Sequence, residues 1–234
     1  MHFYMNGVDS RAYGIYMREP LPIFAAEEDT EYYDVPGRDG SLTIKKGGHN
    51  DLETSMRCYI RDIGGISRAL AFVQGSGQLV QSIDMGRSIN ISFTGAPRAD
   101  RIVRGMDAWE MEIPVRIKPF RYFYPEEEDI IIQSSGTYIN NPGTHESAPR
   151  IEIAGSGDMV LRIGAAEVTL SGIAGGLIID SADMTCYELD GVTRIGDQNG
   201  IDMDEFPRIA PGANPVTWTG SISSITITPR WRDR

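Results

Sequence analysis

The sequence predicts a mainly β protein, two β-sandwich domains with one short α-helix in the first of them. Three observations carry that prediction. Apolar and polar residues alternate in long runs, most clearly where Trp109, Met111, Ile113, Val115 and Ile117 interleave with Glu110, Glu112, Pro114, Arg116 and Lys118, the period of a strand with one buried and one wet face. Turn pairs such as Asn6-Gly7, Pro36-Gly37, Asp39-Gly40 and Pro211-Gly212 punctuate the chain between these runs, and such pairs join antiparallel strands. The third is length. At 234 residues the chain is long for one domain and short for three,.

Taken in order, residues 1 to about 62 read as short strands: His2 to Met5, the Asn6-Gly7 turn, Ala12 to Met17, a hairpin, and Leu52 to Arg61. The segment Pro20 to Thr30 is irregular and acidic. The hairpin joins Glu31–Val35 to Ser41–Ile44 through Val35-Pro36-Gly37-Arg38-Asp39-Gly40. Pro36-Gly37 suits a type II turn, since proline presets φ and glycine accepts φ > 0, and Asp39-Gly40 adds a second reversal. Two turns in six residues make a projecting, preorganised tip. The helix follows, with Ile63, Ile66, Leu70 and Val73 on one face, Asp62 to cap it and Gly75 to stop it,.

Gln78 to Ile83 and the alternating Ile89 to Phe93 come next, then the Trp109 to Ile117 strand. Pro114 has no N–H for a sheet ladder, so it points to an edge strand or a bulge where another subunit could dock. Phe120, Tyr122, Phe123 and Tyr124 form an aromatic cluster that suits core or interface filling. Turn chemistry at Asn140 to Thr144 places a domain junction between about Gln133 and Pro149,. Beyond it, eight or nine short strands follow without helical spacing, with Gly155-Ser156-Gly157 and Asp190-Gly191 expected as hairpin turns. That pattern is a β-sandwich or jelly roll.

Composition narrows the function. Lys and Arg number 22 against 33 Asp and Glu, a net charge of −11. DNA affinity rests on cations neutralising phosphates, so a sequence-reading or wrapping protein is disfavoured, whereas a wall that repels passing DNA is compatible. No apolar run approaches the eighteen residues of a membrane span, and the N-terminus lacks the basic start and apolar core of a secretory signal,. Cys58 and Cys186 are far apart and form no CxxC, so both are expected as reduced core residues.

Candidate chemistry is sparse. His2, His49 and His145 lack the spacing of a zinc site, and there is no nucleophile elbow, P-loop or GxGxxG. The acidic run Asp197 to Glu205 has its glycine at the fourth place, not the sixth, and Ile201 at a ligand position, so it fails the EF-hand pattern,. Asp202 and Glu205 are a conceivable glycosidase pair without a visible groove. No catalytic, cofactor-binding or metal-ligating residue is assigned.

The order Asn6-Gly7-Val8-Asp9, then VPGRDGSL, a short helix, and a strand running into Pro119-Phe120-Arg121-Tyr122 resembles the N-terminal half of the distal tail protein (Dit) of siphophages. Leu177-Ile178-Ile179-Asp180, Tyr187, Phe206 to Asn214 and the closing Ile225-Thr226-Ile227-Thr228-Pro229-Arg230-Trp231-Arg232 are similar to that family's galectin-like C-terminal domain. Departures are modest: Phe72-Val73 stands where the family tends to a tryptophan-leucine pair, and Ser88-Ile89-Asn90 where an aromatic pair is frequent.

The resemblance implies a virion structural protein and not an enzyme. Residues 1 to about 140 would form a hexameric ring at the tail tip, and a galectin-like jelly roll, 147 to 234, would be displayed outside it. Implied partners are five further copies, the major tail tube protein, a tail-associated lysin or spike protein and receptor-binding proteins on the C-terminal domain. DNA would meet the ring only in transit, with synthesis in the host cytoplasm and no membrane insertion. The exposed double turn and Pro114 then place Val35, Pro36, Gly37, Arg38, Asp39, Gly40, Trp109 and Pro114 at the subunit interface. A lectin-like module for host glycans is the alternative, although residues 149 to 234 contain no histidine and, as tryptophans, only Trp218 and Trp231. A cell-wall enzyme is a third class, without a convergent acid, base and pocket to support it.

Overall fold

In a computed structural model the chain is described over residues 1–61, 65–101, 108–189, 193–195 and 200–234. Asp62 and Ile63 at the expected helix start, the Asp190-Gly191 turn with Val192, and residues 197 to 199 of the acidic run lie outside these. The contacts divide the chain into two units, Met1–Tyr124 with Arg234, and Pro125–Asp233.

The first unit contains β1 (Phe3–Met5), β2 (Val8–Asp9), β3 (Ile15–Met17), β4 (Glu28–Tyr33), β5 (Leu42–His49), β6 (Leu52–Ile60), α1 (Ile66–Phe72), β7 (Ser76–Gln81), β8 (Arg87–Phe93), β9 (Arg98–Arg101) and β10 (Trp109–Phe123). Asn6 and Gly7 both take positive φ, at 50° and 78°, so the β1–β2 reversal is the tight hairpin expected of Asn-Gly. Ala12 and Tyr13, expected in a strand, belong instead to a 3-10 turn over Ser10–Tyr13. The Asp9 carboxylate accepts the Arg11 N–H at its start and Gly14 ends it at φ 69°.

The main sheet has the order β2-β1-β7-β8-β10-β6-β3, with β9 also on β10. Its ends meet. Met17 N–H donates to the Met1 carbonyl at 3.0 Å, and the fully buried Ser10 hydroxyl accepts from Phe3 N–H at 3.2 Å and donates to the Ile15 carbonyl at 3.0 Å. One hydroxyl thus satisfies two backbone groups that two short strands leave unpaired. Ser10→Ala is expected to cost roughly 2–4 kcal/mol, the penalty of leaving two buried polar groups unmet, read as a lower denaturation midpoint for the first unit.

Inside the closed sheet lie Phe3, Ile15, Met56, Ile60, Leu79, Ile91, Met111, Ile113 and Ile117, with Ala69 and Val73 of the α1 segment packed among them. Ile66, Leu70 and Phe72 add to that core from the same segment, and Phe72 stacks on Tyr13 with ring centroids 4.3 Å apart. The strand alternation holds: Met111, Ile113, Val115 and Ile117 are buried while Glu112, Arg116 and Lys118 are exposed. Each such buried aliphatic contributes about 1.5–3 kcal/mol.

The described residues of the second unit form strands without a helix: β11 (Ile130–Ile132), β12 (Thr137–Asn141), β13 (Arg150–Ile163), β14 (Ala166–Ile173), β15 (Gly176–Asp180), β16 (Thr185–Tyr187), β17 (Arg194–Ile195), β18 (Ile201–Asp202) and β19 (Gly212–Thr228). Gly155-Ser156-Gly157 is not a hairpin turn. β13 runs straight through it, and the ladder to β19 slips its register between Ala154 and Val160. There the two long strands pass from one layer to the other. A Cβ on Gly155 would fall 2.6 Å from the Ser221 carbonyl oxygen, so the glycine serves the close approach of two bending strands. One layer has β11, β19, β13, β15, β16 and β17 in that order, and the other brings β12, β14 and β18 onto the remaining halves of β19 and β13. The fold class is a mainly β sandwich type, as the sequence predicts. Turn chemistry had put the junction near 133–149; the contacts put it between Tyr124 and Pro125, because β11 and β12 both pair with β19.

A polar clamp closes the second unit. Asp180, at the end of β15, accepts both guanidinium nitrogens of Arg230 at 2.7 and 2.8 Å and the Ala182 N–H at 3.0 Å. Burial, the largest single influence, pushes its carboxyl up, but the Arg230 hydrogen bonds and charge, with the Asp183 and Ala182 N–H groups, outweigh it and hold the carboxyl below the usual range,. A carboxyl lowered in the folded state stabilises above its unfolded pKa of about 3.9 and loses that contribution as pH falls through the lower folded value. The second unit is therefore expected to weaken in acid below about pH 4, and Asp180→Asn to flatten that part of a stability-against-pH profile.

Candidate assembly surface

The double turn is where the sequence places it. β4 and β5 form a two-stranded sheet of their own, with Tyr33 opposite Leu42 and Glu31 opposite Ile44. Arg38 N–H donates to the Val35 carbonyl at 3.1 Å and Gly37 sits at φ 83°, the geometry of the type II turn that Pro36-Gly37 predicts. Val35, Pro36, Gly37, Arg38, Asp39 and Gly40 are all exposed, and so is every residue from Tyr32 to Gly48.

The strands carry a feature that the turn motif does not announce. Alternation in β5 puts Leu42 and Ile44 on one face, Tyr33 faces them from β4, and all three are more than a third exposed. Tyr32 looks out on the opposite face, 69% exposed. Paired charges flank the apolar stripe. Lys45 meets Glu28 at 2.6 Å, Lys46 pairs with Glu31, and the Tyr33 hydroxyl donates to the same Glu31 carboxylate. The Lys45 hydrogen bond is the chief reason the Glu28 carboxyl is held below its ordinary range, and the Lys46 hydrogen bond does the same for Glu31,. The signal was available in the sequence as Leu42-Thr43-Ile44-Lys45 beside Tyr32-Tyr33, an alternation with nothing downstream to cover it.

β4 and β5 each have one unpaired edge among the described residues. Two strands alone make a marginal sheet in water, and open edges are templates for pairing with another chain.

Trp109 and Pro114 stand differently. β10 is a central strand, with β6 along one side and β9 then β8 along the other, so the edge expected from Pro114 is corrected. Pro114 lies where β9 pairing ends at Glu112 and β8 pairing begins at Val115, and its carbonyl accepts the Thr94 N–H at 3.0 Å. Its missing N–H faces that break, where no ladder bond is required. Trp109 is half-buried, and its indole N–H is enclosed without a partner among the described residues. It sits eight residues along β10 from Ile117, about 26 Å, while the hairpin returns to the sheet near Ile117 through Asp51, which Lys118 meets at 3.1 Å. Trp109 and the double turn are therefore separate places, and Pro114 lies three residues from Ile117, nearer the base of the hairpin.

The remaining candidates offer less chemistry. Cys58 is fully buried, which pushes its thiol up to about 12, and neither cysteine is in a disulfide. His49 packs edge-on against Phe120, centroids 5.0 Å apart. Asp202 and Glu205 are exposed. A depression of about 610 Å³ in the second unit is lined by apolar Met184, Ile195 and Phe206 together with polar Thr185, Arg194 and Asp202, a mixture that does not by itself mark a sugar site. No described helix is long and apolar enough to cross a membrane.

No family profile matches the sequence, and no curated protein matches it. The solved structures do. The chain superposes on a crystal structure of SPP1 Dit (gp 19.1), described as a paradigm of the hub adsorption apparatus in phages that infect Gram-positive bacteria, with a TM-score of 0.67 over 97% of both chains at 12% identity. This is a Dit-like fold. The likeness takes in both units of the Dit-like chain, end to end. A chain of the phage P2 baseplate, in its activated conformation with Ca, aligns more loosely, at a TM-score of 0.46 and 8% identity over 97% of this chain and 92% of that one.

Proposed function

We propose that this chain is a distal tail protein of a phage or prophage particle, a structural hub at the tail tip and not an enzyme. The observation that carries the proposal is the end-to-end match of both units to SPP1 Dit. The arm of β4 and β5, with Tyr33, Leu42 and Ile44 exposed together on one face and an unpaired edge on each strand, supplies a physical means of assembly.

In this reading six copies close head to tail into a ring. Heterologous contacts close when the rotation between copies allows, and projecting hairpins and unpaired edges are natural means of making them. Val35 to Gly40 lie in the seam between copies. Pro114 contributes from the β8–β9 break and Trp109 from the start of β10, neither from a sheet edge. The first unit continues the tail tube above and receives the lysin or spike protein below. The second presents a galectin-like surface, from about 147 onward, on which receptor-binding proteins dock. DNA passes through the opening without being held, as the net charge of −11 favours,.

The test is the native mass of the full-length protein by light scattering, with negative-stain images of the same sample. The expected mass is about 155 kDa, six times 25.8 kDa, with a central hole in the particle,. A strict monomer at high concentration would overturn the self-assembling ring.

A further inference from the structure

We infer that the β4–β5 hairpin is a jointed arm, pivoting on the chain segment Lys46-Gly47-Gly48 and latched by the Lys45–Glu28 ion pair. Between the pairs Glu28–His49 and Thr30–Lys45, β4 advances through one residue, Asp29, while β5 advances through three. A ladder interrupted in this way loses its cross-strand bonds locally and bends. Gly47, inside the interruption, has φ 78° with nothing within 4 Å of its would-be Cβ, and a Cβ on Gly48 would meet only the Asp29 Cβ, at 3.9 Å. The joint is both conformationally free and sterically open.

The two sides of the joint are held very differently. Below it the chain is fixed: Asn50 N–H donates to the Glu27 carbonyl at 2.8 Å, His49 rests on Phe120, and Arg234 Nε donates to the Ala26 carbonyl at 3.1 Å. Above it, no residue from Thr30 to Lys46 belongs to the hydrophobic core of the first unit. Segments with few buried contacts are those that open first. Two polar ties join the arm to its base: the Thr30 hydroxyl donates to the Glu28 carbonyl at 3.2 Å, and Lys45 pairs with the Glu28 carboxylate, the lysine side chain being 69% exposed. Such a pair is weak and screened by salt. The arm thus has a preferred position, set by the latch, and freedom to leave it. Its use in seating the apolar stripe on a neighbouring copy rests on the ring proposal; the pivot itself does not.

The experiment measures pulsed-EPR distances in full-length protein, diluted until light scattering shows it monomeric, bearing nitroxides on Arg38→Cys and Glu112→Cys, both exposed positions of the first unit. The natural Cys58 and Cys186 are buried. The wild-type background is expected to give a broad distribution that widens in high salt. Gly47→Asn with Gly48→Val, which keeps a residue tolerant of positive φ and stiffens its neighbour, narrows it roughly twofold. A single narrow distance in the wild type, indifferent to salt, overturns the joint. So does a broad distribution that the stiffened variant leaves unchanged, since the motion would then lie elsewhere. Because the sample is monomeric, failure of the ring shows in light scattering and leaves this result standing.

Discussion

Gly176→Ala is expected to unfold the second unit ahead of the first, at a cost of about 4 kcal/mol or more. Gly176 opens β15 opposite Ala154, at φ 121°. That dihedral lies in a region essentially confined to glycine. A Cβ there would also lie 2.1 Å from the Ile153 carbonyl oxygen and 3.2 Å from the Ala154 Cα. Those atoms belong to the middle of β13, whose Ile151 and Ile153 are fully buried, so the strand cannot yield without opening the core. Gly172→Ala separates the two contributions. Gly172 has φ 66° with open space around it, so alanine there costs only the backbone term, about 1–2 kcal/mol. Chemical denaturation of both variants reads the difference. If the two cost the same to within about 1 kcal/mol, the steric argument fails.

These glycines also mark where the sequence could be read and where it could not. Signals local to a turn or a strand were legible: Asn6-Gly7, Pro36-Gly37 and the alternation of Trp109 to Ile117 each encode their geometry within a few residues, and each is found as expected. Gly155-Ser156-Gly157 was misread because a glycine needed for close approach of a distant strand looks the same as one needed for a turn. The information lies in Ser221, more than sixty residues away. Pro114 misled for a related reason. The lack of an N–H says that a ladder bond is missing, yet whether the gap is a sheet edge or the break between β8 and β9 depends on how Thr94 to Pro97 are routed. The 3-10 turn at Ser10–Tyr13 was hidden in the same way, since Ser10 earns its place through Phe3 and Ile15, on two strands that meet only when the sheet closes. Of the proposed interface, the turn and the Leu42–Ile44 alternation were legible; the exposure of that alternation was not, because it is a property of where the hairpin stands.

That stripe gives the second large expected effect. Leu42→Asp with Ile44→Asp is expected to abolish ring assembly while leaving the monomer as stable as before. Both side chains are exposed in the single chain, and surface substitutions of this kind change stability by about 0.5 kcal/mol or less. In a ring that covers the stripe, each new carboxylate loses its water without gaining a partner, at several kcal/mol apiece. A total of about 5 kcal/mol weakens association by more than a thousandfold. Replacing Gly37 and Gly40 together by valine attacks the same seam from the tip. Both glycines have positive φ, 83° and 75°, which a β-branched residue resists, so the double turn would re-form and lose its register with the neighbour, while the second unit stays folded. Light scattering reads assembly and circular dichroism reads folding for each variant. Rings that survive the two aspartates would show that the apolar face stays in water, and would move the contact to the tip alone. Rings that survive both pairs of substitutions would remove the arm from the interface and leave β10, with Trp109 at its start and Pro114 at the β8–β9 break, as the place to look.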